Sequence, residues 1–155
     1  MSEPVFIVAS ILMLLLGNGV FSGSEIAVIT ARRSRIEALI EEGSRAAGRV
    51  KGLQDHMDQF LATVQIGVTV MGTFAGVLGG ILASRYIEPE LSSLALSRWV
   101  PPALLAASIV GLFIVYVGLV FGELVPKALA LRYTETFALI VSGPEPAPSE
   151  GHPPW

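Results

Sequence analysis

The chain has 155 residues, of which 52% are hydrophobic and 15% charged, with a formal net charge of −3. Water-soluble domains carry nearer to a quarter charged residues, and the charges here are clumped between three long stretches almost free of them, so the chain reads as an integral membrane protein. So small a negative charge argues against a nucleic-acid partner, and the lack of cysteine excludes a disulfide framework, a thiolate metal site and a thiol nucleophile.

The first apolar run, residues 4–31, carries Glu25 as its only charge. It is too long for a cleavable signal peptide, and Glu3 rather than a cation precedes it. It is therefore expected to span the bilayer. Its second half, Gly17-Asn-Gly-Val-Phe-Ser-Gly-Ser-Glu25, is too polar for lipid tails and is expected to face other helices or a wet cavity.

Residues 32–59 hold six of the ten Lys and Arg: Arg32, Arg33, Arg35, Arg45, Arg49 and Lys51. Ile36, Leu39 and Ile40 fall on one helical face, as do Ala46, Val50, Leu53 and Met57, with Gly43 between the two sets. This pattern predicts two short amphipathic helices at the membrane surface, the alternative being a solvated loop with helical tendency.

Residues 60–84 form the second expected span and carry no charge. Gly72, Gly76 and Gly80 recur every fourth residue, with Ala75 and Gly79 beside them. Such a stripe lets another helix approach closely, either within the chain or across a dimer seam. Thr63, Gln65, Thr69 and Thr73 are the polar residues of this span. A short loop over 85–101 follows, with Arg85 and Arg98 as its cations, and 102–120 is the third span, where Tyr116 is the strongly polar side chain.

That span runs into Phe121-Gly-Glu-Leu-Val-Pro-Lys127. Pro126 lacks an N–H and clashes with the preceding turn, so the helix is expected to kink or stop here. A break at membrane depth frees backbone carbonyls, tolerated only against protein or a water-filled cavity. Glu123 is expected to face that cavity, with Lys127 serving the membrane surface rather than pairing with it. A new apolar start over 137–141 aborts, and residues 142–155, rich in proline, are expected to be a disordered tail. His56 and His152, the two histidines, lie outside the apolar runs and read as loop residues.

Ser22, Ser24, Glu25, Thr69 and Glu123, together with carbonyls around Gly122, supply an all-oxygen set. Hard cations such as magnesium or calcium take oxygen ligands, whereas zinc and copper favour His or Cys. The plainer reading is that the serine and threonine hydroxyls bond back to their own helices. No Ser/His pair or His-carboxylate set lies at membrane depth, so the chain is not expected to be an enzyme.

Phe21-Ser-Gly-Ser-Glu-Ile-Ala27, the Arg32–Arg35 cluster, the Glu41-Glu-Gly43 turn, the run from Phe60 to Thr69 and Phe121-Gly-Glu-Leu-Val-Pro-Lys127 occur in an ordered series. In that order they resemble the transmembrane domain of the CNNM/CorC family, also called hemolysin-C-like proteins, over residues 5–141. The resemblance implies a homodimeric domain of three membrane spans with juxtamembrane helices, acting in magnesium transport or efflux without an organic cofactor. It implies cation ligands at Ser22, near Thr69, and at Gly122 with Glu123; Ser24 joins the candidate metal ligands from the oxygen set alone. Many members carry an asparagine where this chain has Val68, and members normally continue into a CBS-domain pair, where this chain has its proline-rich tail.

The expectation is thus an all-α membrane protein: three transmembrane helices, two short amphipathic juxtamembrane helices and a broken helix end at 121–127. It is a domain over 1–141, a homodimer in the plasma membrane, and moves a divalent cation, with Mg2+ as the bound or transported ion. The alternative is a membrane anchor or regulatory subunit that transports nothing. The cation excess over 32–59 places that segment and residues 123–132 in the cytoplasm and the N-terminus outside. Because the chain has no cysteine, Arg45→Cys and Arg98→Cys provide single reporters. An impermeant thiol reagent on intact cells should label position 98 and spare position 45; labelling of both would overturn the cytoplasmic loop.

Overall fold

The computed structural model describes residues 3–93 and 99–142. Every regular element among them is helical, and three helical stretches are long and apolar enough to cross a membrane: Glu3–Thr30, Met57–Ser92 and Pro102–Arg132. The chain is a multi-pass, all-α membrane protein. Arg98 and residues 143–155 of the expected tail lie outside the described residues, while Ser142, the first residue assigned to that tail, is held in place, its carbonyl accepting from Arg49 Nε at 2.6 Å.

Helix α1 (Glu3–Thr30) is the first span and the hub, packing on the second and third spans and on the short helices at one end. At ~1.5 Å per residue its 28 residues exceed the ~30 Å hydrocarbon layer. The segment after it forms the two expected amphipathic helices, α2 (Arg33–Glu41) and α3 (Arg45–Asp55). Gly43 joins them with φ +92°, a conformation that favours glycine. Its N–H reaches the Ile40 carbonyl and that of Ser44 reaches Leu39, each at 2.9 Å, closing α2 in a Schellman motif. Ser44 then caps α3, its Oγ accepting from the Ala47 N–H at 3.3 Å. Both helices turn their apolar faces inward: Ile36, Ala47 and Val50 are fully buried with Ala27 of α1.

Gln54 of α3 locks this end to α1. Its Nε2 donates to the carbonyls of Val28 at 3.0 Å and Ala31 at 2.9 Å. The last carbonyls of a helix have no intrahelical donor, so one buried amide from α3 closes the open end of the first span.

The second span is longer than expected. Helix α4 (Met57–Leu82) continues through a π turn (Ala83–Ile87) into α5 (Glu88–Ser92), so the anticipated loop from Arg85 is helical as far as Ser92. Pro89 sits in the first turn of α5, directly after the π turn, and the elements around that turn have a packing partner in Ala106 and Val110 of the third span. Arg85 pairs with Glu3, which puts this end beside the start of α1, opposite α2 and α3.

The expected break at Pro126 takes the form of a second π turn, not a stop. Helix α6 (Pro102–Leu119) passes through Val120–Leu124 in π geometry into α7 (Val125–Arg132). Pro126 thereby falls in the first turn of α7. The helix continues, and Glu123 and Lys127 come within one turn of each other. Helix α8 (Thr134–Val141) then folds back, burying Ala138 against the α1–α3 cluster instead of aborting.

The glycines divide into two groups. A Cβ built on Gly19 would lie 2.9 Å from the Pro126 ring, and one on Gly23 would lie 2.7 Å from the Phe137 ring, so these positions admit close contacts within the chain. Gly72, Gly76 and Gly80 have nothing within 4 Å and face outward. Gly19→Leu should therefore lower unfolding stability in detergent by ~1–3 kcal/mol through overpacking, while Gly76→Leu should change that of the single chain by less than ~0.5 kcal/mol. Chemical denaturation of both variants checks this; equal losses would contradict the division.

Candidate functional site

The site is built on the polar half of α1. There, Gly17 sits against Met71 and Phe21 against Gly67, both on α4, while Gly19 and Gly23 face Pro126 on α7. At about 100° of rotation per residue, Asn18, Ser22 and Glu25 fall in the sector between those two contact faces. They occupy the seam between the second and third spans.

The Asn18 side chain bridges α1 to the third span. Its Nδ2 donates to the carbonyl of Gly122 at 3.0 Å. In an uninterrupted α-helix that carbonyl would accept from residue 126, which is proline and has no N–H. Asn18 supplies the donor that the third span lacks. Gly122 makes the approach possible, since a Cβ there would lie 3.1 Å from the Asn18 amide nitrogen and 3.4 Å from the Leu15 carbonyl.

Three buried side-chain oxygens lack a hydrogen-bond partner among the described residues: Gln54 Oε1 by the end of α1, and two beside this bridge. Asn18 Oδ1 and Ser22 Oγ are both buried without a hydrogen-bond partner, and Ser22 is 3% exposed. A hydroxyl within a helix ordinarily bonds back to the carbonyl four residues earlier. Ser10, Ser24, Thr30, Thr63, Thr69 and Thr73 all do so. Ser22 does not, although its i−4 carbonyl belongs to Asn18 on the same face. An unpaired buried polar group costs about 1–3 kcal/mol, and this pair sits one turn apart where the neighbouring span is loosened by a π turn.

The expected oxygen set is therefore only partly assembled. Asn18 meets the Gly122 carbonyl, Ser22 lies one turn further along the same face of α1, and Glu123 is the next residue on the π turn. Ser24 is buried but lies roughly 200° around α1 from Ser22, with its hydroxyl donating to the Val20 carbonyl. Thr69 corrects the expectation further. Gly67 and Met71 mark the α4 face that meets α1, and Thr69, two residues from each, is exposed on the far side and donates to the Gln65 carbonyl at 2.8 Å. It shares its outward face with the glycine stripe, while Val68 is half-buried.

Glu123 and Lys127 are also corrected: Lys127 Nζ donates to Glu123 Oε1 at 2.8 Å, with side-chain exposures of 31% and 46% for Lys127 and Glu123. The π turn resets the helical register ahead of Pro126, which keeps the i,i+4 geometry the proline was expected to destroy. No group of three or more His, Cys, Asp or Glu positioned for a metal occurs among the described residues. Any cation here would be held mainly by neutral oxygens. Asn18 itself was legible only as part of a polar stretch; its signal was the coincidence of an Asn/Ser pair at i,i+4 with a proline four residues beyond a glycine.

The molecule is thus a three-span membrane domain with a buried polar seat between its first span and a loosened third one. The transmembrane N-terminal domain of the cyclin M (CNNM) family matches residues 9–145, and the chain belongs to that family. It is 40% identical over 128 residues to a UPF0053 protein of Synechocystis, covering 83% of this chain and 28% of the relative. The UPF0053 protein YhdT of Bacillus subtilis is 36% identical over 124 residues, covering 80% and 27% respectively. A polyamine export protein of Haemophilus influenzae is 29% identical over 136 residues, covering 88% and 31%. The chain spans under a third of the length of these relatives.

The unpaired oxygens give opposite predictions for neighbouring substitutions. In chelator, Ser22→Ala removes an unsatisfied hydroxyl and should leave thermal stability unchanged or raised by about 1 kcal/mol. Asn18→Ala strips the Gly122 carbonyl of its donor and should cost about 1–3 kcal/mol. Thermal unfolding in detergent checks both; a loss in Ser22→Ala as large as in Asn18→Ala would mean that the hydroxyl is satisfied.

Proposed function

We propose that this chain is a cation-transport domain of the plasma membrane, without enzymatic chemistry, and that its cargo is a dehydrated divalent cation, magnesium first. The observation that carries the reading is the pair of buried, unpartnered oxygens, Asn18 Oδ1 and Ser22 Oγ, beside the Gly122 carbonyl. Hard cations are held by such neutral oxygens together with carboxylates, and Glu123 supplies the carboxylate one residue away. Asn18 offers an amide oxygen to a site whose span-two position is Val68. In this reading the Lys127 ammonium holds Glu123 until a cation displaces it. An exchange of one positive partner for another keeps the carboxylate compensated at membrane depth throughout.

The cation-rich end carrying α2, α3 and α8 is cytoplasmic in this proposal, following the positive-inside rule. A homodimer would place the outward stripe of Gly72, Gly76 and Gly80 at the seam, where small residues allow two helices to approach. Thr69 and Thr73 lie beside that stripe, so in a dimer they would serve the seam and not the cation.

A second reading follows from the polyamine export protein of Haemophilus influenzae among the relatives. An alkylammonium group donates to the same oxygens that would ligate magnesium, so a polyamine is the competing cargo. A domain that anchors or regulates another protein and moves nothing is the third.

Reconstitution into liposomes with an internal magnesium indicator separates the three. Magnesium flux that is lost in Glu123→Gln supports the proposal. Flux of spermidine without magnesium supports the polyamine reading, and flux of neither supports the anchor. Lys127→Gln removes the competing ammonium of a partly exposed pair worth up to about 1 kcal/mol, so apparent magnesium affinity should rise by up to roughly fivefold. Titration of flux against magnesium measures it; a fall in affinity would mean that Lys127 positions Glu123 for the ion.

A further inference from the structure

A second polar site lies at the other working surface of the molecule, away from the Asn18 seam. Between the end of α1 and the α7–α8 corner is a cavity of about 420 Å³, within the size range of small-ligand sites. Thr30, Arg32, Arg132, Thr134, Glu135 and Thr136 line it. The lining carboxylate is already engaged, since Arg35 Nε donates to Glu135 Oε2 at 3.3 Å. Arg32 and Arg132 have no carboxylate partner among the described residues. The lining thus holds two guanidinium groups and one carboxylate, and that carboxylate is already paired with a third guanidinium from outside the cavity.

We propose that this cavity binds the phosphate of an anionic phospholipid headgroup. Four observations carry the assignment. Thr30 is the last residue of the first span and Arg132 the last of the third, so the cavity opens at headgroup height. Arginine presents planar, paired N–H donors that match phosphate oxygens. The Arg132 guanidinium lies over the Tyr133 ring, 5.7 Å from its centroid, which leaves its N–H edge available to a ligand. Thr134, Glu135 and Thr136 form the first turn of α8, whose N–H groups have no intrahelical acceptor. Basic pockets between span ends are the usual seats of anionic headgroups.

The site joins the two spans that the Asn18–Gly122 contact also joins, but it does not depend on the transport reading. A bound phosphate would clamp Arg32, just beyond α1, to Arg132 at the end of α7, and so stabilise the packing of the first span on the third.

The full chain in nanodiscs tests the proposal, with lipid retention after delipidating washes measured by phosphorus NMR. Phosphatidylglycerol should be retained over phosphatidylcholine by the native chain and by Arg45→Gln, a control on the exposed start of α3. Each arginine at a membrane surface favours an anionic lipid by roughly fivefold, so Arg32→Gln with Arg132→Gln should reduce retention by more than tenfold. Should that double variant fail to fold by circular dichroism, Arg132→Gln alone should reduce retention by about fivefold. Retention equal to that of Arg45→Gln would overturn the site. Glycerol 3-phosphate should fail to displace the lipid at equal concentration; displacement would assign the cavity to a soluble phosphate instead.

Discussion

Pro126 has no N–H, and Gly122, four residues earlier, is the carbonyl left without its helical donor. The Asn18 amide fills that vacancy from another helix at 3.0 Å. Much of the molecule is arranged around this contact. Gly19 and Gly23 bring α1 close to Pro126 and Phe137, Gly122 removes the Cβ that would meet Asn18, and the π turn lets the third span pass a proline without stopping. A broken helix at membrane depth must have its backbone satisfied by protein or water. Here the Asn18 side chain does this for Gly122, and its amide oxygen is left buried without a partner.

The two ends of the bundle are built differently. At the end bearing α2, α3 and α8, the core is closed by small and branched residues, with Ala27, Ile36, Ala47, Val50, Ala130 and Ala138 fully buried and Gln54 closing the first span. Toward the opposite end, α1 and α4 meet through Ile7, Ile11, Leu15 and Ala75, a plain apolar contact. The polar seat at Asn18 and Ser22 lies between these regions.

Most of the fold was legible because membrane spans and amphipathic helices are periodic signals. The Glu41-Glu-Gly43 turn and its helices follow from glycine chemistry and the spacing of Ile36, Leu39 and Ile40, and the structure reproduces them. The site was less legible because a list of polar residues carries no azimuth. Ser22 and Ser24 are both buried serines in one motif, yet a rotation of about 200° separates them. Thr69 lies in the right span but on its outer face. Pro126 signalled a break, but sequence alone did not distinguish a stop from a π turn, which depends on a donor offered by residue 18. The glycines behaved the same way: those of α1 serve contacts within the chain, and the regular stripe of α4 faces outward.

In the proposed function the buried oxygens of Asn18 and Ser22 form a seat for a cation beside the Gly122 carbonyl. Manganese substitutes for magnesium at oxygen sites of this kind and scatters anomalously. A crystal of the domain grown with manganese should show an anomalous peak between Asn18 Oδ1, Ser22 Oγ and the Gly122 carbonyl, and the same crystal form of Ser22→Ala should lose it. Manganese found elsewhere, with none beside these two oxygens, would contradict the account.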